Sequence, residues 1–453
     1  AIGYIENAGS PDGSLTPEFV GQYCFDTTNK VWYIAFDTAT TSDWMQLSRD
    51  ILGGGGVATN TAYGTSTLAA NTTGANNTAI GYQALDANTT GAANTGVGSG
   101  ALGAETTGVN NTAVGKDALL AQAGATGNTA VGKSSGDAIT TGSNNTVVGL
   151  DAGGALTTGA SNVAVGKDAL LVAPTATNDV AIGATAGDAL TTGSDNTAVG
   201  FNALGAATTG ANNTAVGSGS LGAVTIGTGN VGAGKDAGNA LTTGVDNVAV
   251  GLDALGAETT GINNVAVGKD ALLAQVGATG NTAVGKSAGD AITTGSNNTL
   301  VGIDAGGALT TGASNVAVGA TAGDALTTGA DNVAVGLSAL GGETTGVNNV
   351  AIGKDALLVQ AGATGNTAVG KSAMDATTTG SNNVAVGLDA LGANTTGAGN
   401  VAVGKDALLL NTTGINNIAV GTTALDANTT GSNNVGVGVD ALGANTVGLD
   451  NVA

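Results

Sequence analysis

The sequence predicts an all-β chain, a parallel β-solenoid of 17-residue coils behind a small N-terminal β module, each coil being a short strand followed by a turn or a single helical turn. Three observations carry that expectation. Glycine recurs in constant steps of 17 from Gly64 to Gly438, with no insertion or deletion across 23 coils. Four residues before each of these glycines, and once more at Asn451, stands an asparagine, beginning with Asn60, with Asp179 the one exception. The three residues between them read branched, small, branched, the period-two alternation of a strand. Such strict phase is what stacking demands, because one extra residue would push every later coil out of register.

Composition agrees with a repetitive fold. The 453 residues include 80 glycines, 3 prolines and only 2% aromatics, which is not an ordinary globular recipe. The 42% of apolar and 10% of charged residues argue equally against a solvated coil. A formal charge of −22 repels phosphate backbones and anionic bilayers, so neither nucleic acid nor membrane is an expected partner. With one cysteine, Cys24, and no histidine, no internal disulfide and none of the usual zinc or general-base sets can be assembled; no metal, cofactor or catalytic residue is assigned. No run of about 18 apolar residues suggests a membrane span. The last coil is cut short, so the solenoid is expected to continue past Ala453.

Taken in chain order, residues 1–52 form the first module, an attachment and capping unit that holds both tryptophans. "VGQYCFDTTNKVWYIAF" reads as a β-hairpin about a "DTTNK" turn, and "SDWMQL" as a third strand. Residues 53–59, which include "GGGG", are the expected hinge. The solenoid then occupies residues 60–453.

Within a coil, let the periodic glycine be position 0. The asparagines at −4 are placed to hydrogen-bond from coil to coil as a ladder. Position −3 is Thr, Val or Ile, and −1 is Val or Ile apart from Tyr63 and Ala233. Position +4 is mostly Leu or Gly, and it covaries with +7. In the seven coils with Gly at +4, such as Gly136 and Gly153, +7 is always Ile or Leu, as in Ile139 and Leu156; where +4 is Leu, +7 never is. The two positions therefore supply one large side chain to one core slot. Residues three apart share the face of a helical turn or tight bend, with aspartates at +2, such as Asp117 and Asp253, as its caps. "TTG" supplies a corner whose glycine permits a sharp turn. Residues 110–166 nearly repeat as 263–319, nine coils later, so the array has grown by copying blocks.

About three large apolar side chains per coil, at ~1.5–3 kcal/mol each, do not offset the ordering of a whole coil, so coils must stack to fold. The branched face is expected to fill the interior. That would leave an outer alanine ribbon about 110 Å long at ~4.8 Å per strand, inviting close association with other copies. A homotrimer is expected.

"NTTGANNTAIGYQAL", residues 71–85, resembles the repeat of bacteriophage tail-fibre and related virion-fibre proteins, and the likeness extends from about residue 57 onward. The first module resembles small β domains of phage structural proteins. The "N-x-A-V/I-G" core is also similar to the head repeats of trimeric autotransporter adhesins, whose genes would carry a secretion signal and a membrane anchor. These resemblances imply a trimeric spacer or adhesion fibre outside a cell. On the virion reading, the first module would engage a virion attachment protein, and a distal tip would meet a host cell-surface receptor. A bacterial surface adhesin is the alternative, and an ice- or mineral-binding solenoid a third.

One motif points elsewhere. "GNTAVGKS", residues 127–134, spells a P-loop and recurs at 280–287 and 365–372; "GSGALG", residues 98–103, fits a dinucleotide fingerprint. Both chemistries need a following helix, which a 17-residue coil holding a strand and corners cannot contain. The chain is therefore not expected to be an enzyme. Lysines such as Lys116 and Lys133, which stand where the resembling repeat has Tyr, are left without an assigned role.

Overall fold

The computed structural model describes residues 4–8, 15, 16, 18, 22–28, 31–35, 44–47 and 60–453. The expected hinge at 53–59 lies outside the described residues. Two compact units, Ala1–Thr209 and Gly210–Ala453, divide the chain.

The first unit begins with a four-stranded sheet of β1 (Tyr4–Asn7), β2 (Tyr23–Asp26), β3 (Val31–Ala35) and β4 (Trp44–Leu47), in that order. The expected hairpin is β2 against β3, pairing Cys24 with Tyr33. Asp26 Oδ1 accepts the Thr28 amide at 2.8 Å, the side-chain bond that lets Asp nucleate a turn. The expected third strand is β4, antiparallel to β3. Strand β1 adds a parallel edge against β2 that the sequence reading did not foresee. Cys24, Tyr33 and Ala35 form its buried core, and burial, with Asp26 beside it, pushes the Cys24 thiol up.

The remainder of both units is the parallel β-solenoid. In the first unit, three-residue strands run from β5 (Thr61–Tyr63) to β13 (Thr197–Val199); in the second they run from β14 (Thr214–Val216) to β27 (Val435–Val437). Within each unit, strands 17 residues apart pair in parallel, as Thr112 with Thr129 and Val384 with Val401. Most backbone bonds join one coil to the next rather than closing within a coil. In the coil of Gly387, Val384 donates to Asn400 O at 2.8 Å, Gly387 to Val369 O at 2.8 Å, Leu391 to Ala407 O at 2.9 Å and Thr395 to Thr412 O at 2.9 Å.

The segment after the strand is a chain of tight turns and not a helical turn. Ala390 donates to Gly387 O, Gly392 to Asp389 O and Asn394 to Leu391 O, three overlapping β-turns. Asp389 and Leu391, at +2 and +4, have φ of 53° and 54°. Left-handed residues at alternate positions cannot belong to a right-handed helix, so the +2 aspartates have no helix to cap.

The core reverses one expectation. The alanines at −2 point inward and are fully buried, as Ala113 and Ala385 are, while the branched residues at −3 and −1 face out. The reason is the slimness of the coil. Its interior is filled from the turn side by Leu at +4, and a Cβ at Gly96, a −2 position, would sit 3.4 Å from Leu85 Cγ. Little more than a methyl fits opposite such a leucine. Two exceptions prove the constraint. Val147 and Leu300 are the large −2 residues, and each lies where two successive coils have Gly at +4. A Cβ at Gly136 or Gly153 would meet Val147 at 3.1 or 2.8 Å, and one at Gly289 or Gly306 would meet Leu300 at 2.6 or 2.9 Å. The expected +4/+7 exchange is equally visible. Ile139 Cδ1 would lie 2.9 Å from a Cβ on Gly136, in the slot that Leu119 occupies in the preceding coil.

Glycine at position 0 is required twice over. Gly115 has φ 142°, and a Cβ there would come within 2.2 Å of Gly132 O in the next coil. The "TTG" glycine has a different reason from the one expected. A Cβ on Gly108 would meet Ala125 O at 2.1 Å, so close approach of neighbouring coils excludes a side chain. The left-handed corner residue comes two positions later, as at Asn110 with φ 61°.

Candidate interaction surface

Three polar ladders weld the coils and orient the outer face. Asn111 is typical of the first. Its amide nitrogen donates to Asn94 Oδ1 at 2.9 Å, and its Nδ2 donates to Asn94 Oδ1 at 3.0 Å and to Ala125 O at 2.9 Å. Fully buried and fully bonded, each such side chain links neighbouring coils and closes its own corner. The second ladder was not read from the sequence. The first Thr of "TTG" donates its hydroxyl to the equivalent carbonyl of the next coil, as Thr412 does to Thr429 O at 3.0 Å.

The third lies at +7 and contains buried charge. Glu105 Oε1 accepts the amides of Thr107 at 2.9 Å, Gly108 at 2.5 Å and Gly124 at 2.9 Å, and its Oε2 accepts Gln122 Nε2 at 2.7 Å. Gln122 Oε1 then accepts Asn128 Nδ2 at 3.0 Å, joining the third ladder to the first. The same set recurs at Glu258 with Gln275 and Gly277, and at Glu343 with Gln360 and Gly362. The signal was present in the sequence. Every coil with Glu at +7 is followed by one with Gln at +7 and Gly at +9.

Asp179 is the one break in the asparagine ladder. Its Oδ1 accepts the Asn196 amide at 2.8 Å and Asn196 Nδ2 at 3.2 Å, as an asparagine would. Its Oδ2 is buried without a partner. Burial pushes the carboxyl up to about 6, the Asn196 bonds oppose the rise, and the charge of Asp195 adds to it.

With the interior closed, the outer sheet face is the candidate site. It presents two parallel rows in each unit, Thr or Val at −3 and Val or Ile at −1. The −1 row is half-buried to exposed, with Val114 at 37% and Ile352 at 40%. Exposed apolar residues also recur at +1, including Tyr82 and Phe201 in the first unit and Ile303 and Leu337 in the second. In nine other coils +1 is lysine, and in the rest it is Thr, Ser or Ala. Lys116, Lys167, Lys235, Lys269, Lys354 and Lys405 each pair with the aspartate that follows, at 2.8 Å for Lys354–Asp355 and 3.0 Å for Lys405–Asp406. The role left open for Lys116 is thus local pairing with Asp117 on the solvent side, whereas Lys133 is exposed and is followed by Ser134.

The P-loop letters fall on this framework without forming a phosphate cradle. Their central residues include strand β9 (Thr129–Val131). The amides of Gly127, Thr129, Gly132 and Ser134 donate to carbonyls of neighbouring coils, and that of Asn128 to Asn111 Oδ1. In the second stretch, "GSGALG", position 0 and the +2 to +5 turns account for the glycines, and no helix follows. Acidic rows approach one another at the turns. Asp137 is pushed up by burial first and then by Asp151 and Asp117. Among the described residues no group of three or more acidic, Cys or His side chains is placed to hold a metal ion.

Fold and surface together define the class: a parallel β-solenoid repeat protein with 17-residue coils. No family model matches the sequence. No curated protein matches it either.

Proposed function

We propose that the chain is a structural fibre protein, the spacer of a virion appendage that associates with copies of itself, three being the expected number. The observation that carries this reading is the outer face. Branched side chains at −3 and −1 repeat at constant register along each stack, and a monomer leaves them partly in water. A second copy offers ridges of the same period, so like faces can interdigitate along their length. Interiors whose buried polar groups are hydrogen-bonded in nearly every coil suit a load-bearing role. The N-terminal sheet would join a virion attachment protein, and contact with a host cell-surface receptor would fall at a distal tip. The resemblance of residues 71–85 to virion-fibre repeats supports the extracellular setting.

Antibodies against the solenoid, applied to purified virions and to uninfected host cells in electron micrographs, test the assignment. Gold along virion appendages is the expected result. Gold on the surface of uninfected cells would replace it with the bacterial adhesin.

A further inference from the structure

We propose that Asp179 carries a proton in the folded stack and donates it to the Gly193 carbonyl, which makes the coil it opens a pH-sensitive joint that loosens as the proton leaves. The argument is one of register. Along the ladder, Nδ2 of each asparagine donates to the carbonyl 14 residues on: Asn145 to Gly159 O at 3.0 Å, Asn162 to Ala176 O at 2.8 Å, Asn213 to Gly227 O at 2.9 Å. At position 179 Oδ1 keeps the bonds to Asn196 that an asparagine oxygen makes, which leaves Oδ2, buried and without a partner, for the place of Nδ2; the carbonyl 14 residues on is that of Gly193. Two oxygens meeting there without a hydrogen would leave buried acceptors unsatisfied. A proton on Oδ2 restores the donor that asparagine supplies elsewhere.

The surroundings offer the carboxylate no relief. Asp195 is the charged group that bears on it, with like sign, and among the described residues no lysine pairs with it. The same coil carries a second acid, Asp188, whose Oδ1 is also buried without a partner. It also begins from the proline corner, where Thr157 donates its hydroxyl to Pro174 O at 2.7 Å. Departures from the repeat are thus concentrated in one place in the first unit.

The direction follows from where the proton binds more tightly. In the unfolded chain Asp179 titrates near 3.8, and in the fold at about 6. The folded coil therefore holds the proton through this interval, and local stability falls as pH rises from about 4 through about 6. A separation of about two units corresponds to a change of about a hundredfold in the local opening equilibrium.

Hydrogen exchange on the full chain tests this, with rates corrected for intrinsic pH dependence. The amides to follow are Val180, which donates to Asn196 O, and Asn196, which donates to Asp179 Oδ1. Between pH 4 and pH 8 their protection should fall by up to about a hundredfold, while Thr112 and Thr129 keep theirs. Asp179→Asn, which restores the ladder's majority residue, should abolish the fall. The same profile in wild type and Asp179→Asn would overturn the proposal. So would recovery of wild-type protection at pH 8 on adding calcium or sodium chloride, since Oδ2 would then be a cation ligand.

Discussion

Gln122 Nε2 donates to Glu105 Oε2 at 2.7 Å, between side chains 17 residues apart that are both fully buried. Together with three backbone amides on Oε1, this bond gives a buried carboxylate donors on both oxygens, the condition under which such a charge is tolerated. Glu105→Ala would strand those donors in the interior. It should lower stability by about 3–5 kcal/mol, measured by urea unfolding of the full chain. Glu258→Ala and Glu343→Ala, with the same partners, should behave alike.

Two glycines of one coil should respond differently to the same change. Gly115→Ala puts a Cβ 2.2 Å from a backbone carbonyl at φ 142°, and a loss of about 3 kcal/mol or more is expected from clash and strain together. At Gly124, with φ 82°, the nearest atom would be Thr107 Oγ1 at 3.1 Å. Gly124→Ala should lose about 1 kcal/mol, chiefly the left-handed preference. Thermal unfolding of the two variants side by side checks the ranking.

The shared core slot predicts a rescue. Leu190→Ala empties it in the coil of Gly183 and should lose about 2.7–5 kcal/mol. A Cβ on Gly187 would lie 3.1 Å from Leu190 Cδ1 and 3.8 Å from Ala181, and its φ of 57° is close to that of Leu at the same position in other coils. Gly187→Leu alone should therefore clash, and the double variant Gly187→Leu/Leu190→Ala should recover most of the loss. A double-mutant cycle with no coupling energy would contradict the shared slot.

Much of this was legible because a strict repeat turns one chain into many aligned observations. The +4/+7 exchange between Gly136 and Ile139 is readable as covariation, and so is the ladder from Asn60 onward. Which strand face turns inward is not. Alternation says that Thr112 and Val114 share a face and Ala113 takes the other; only the volume available opposite Leu102 and Leu119 assigns the inside to Ala. Val147 and Leu300 held that information, since their bulk coincides with paired glycines, and the Glu105, Gln122 and Gly124 set was likewise visible as co-occurrence. A turn with left-handed residues at +2 and +4 was harder to read. Spacing alone does not separate a helical turn from successive β-turns, and Asp and Leu at those positions are not residues that announce a positive φ.

The outer branched face is the centre of the functional reading, and sedimentation equilibrium on the purified chain tests it most directly. Wild type should run at three times the 42.3 kDa of one chain. Val250→Lys, Val267→Lys and Val284→Lys combined, all in the outward −1 row, should reduce that to a single chain with its β-signal intact. A wild type that sediments as one chain at every concentration, or a charged variant that keeps the assembled mass, would contradict self-association through this face.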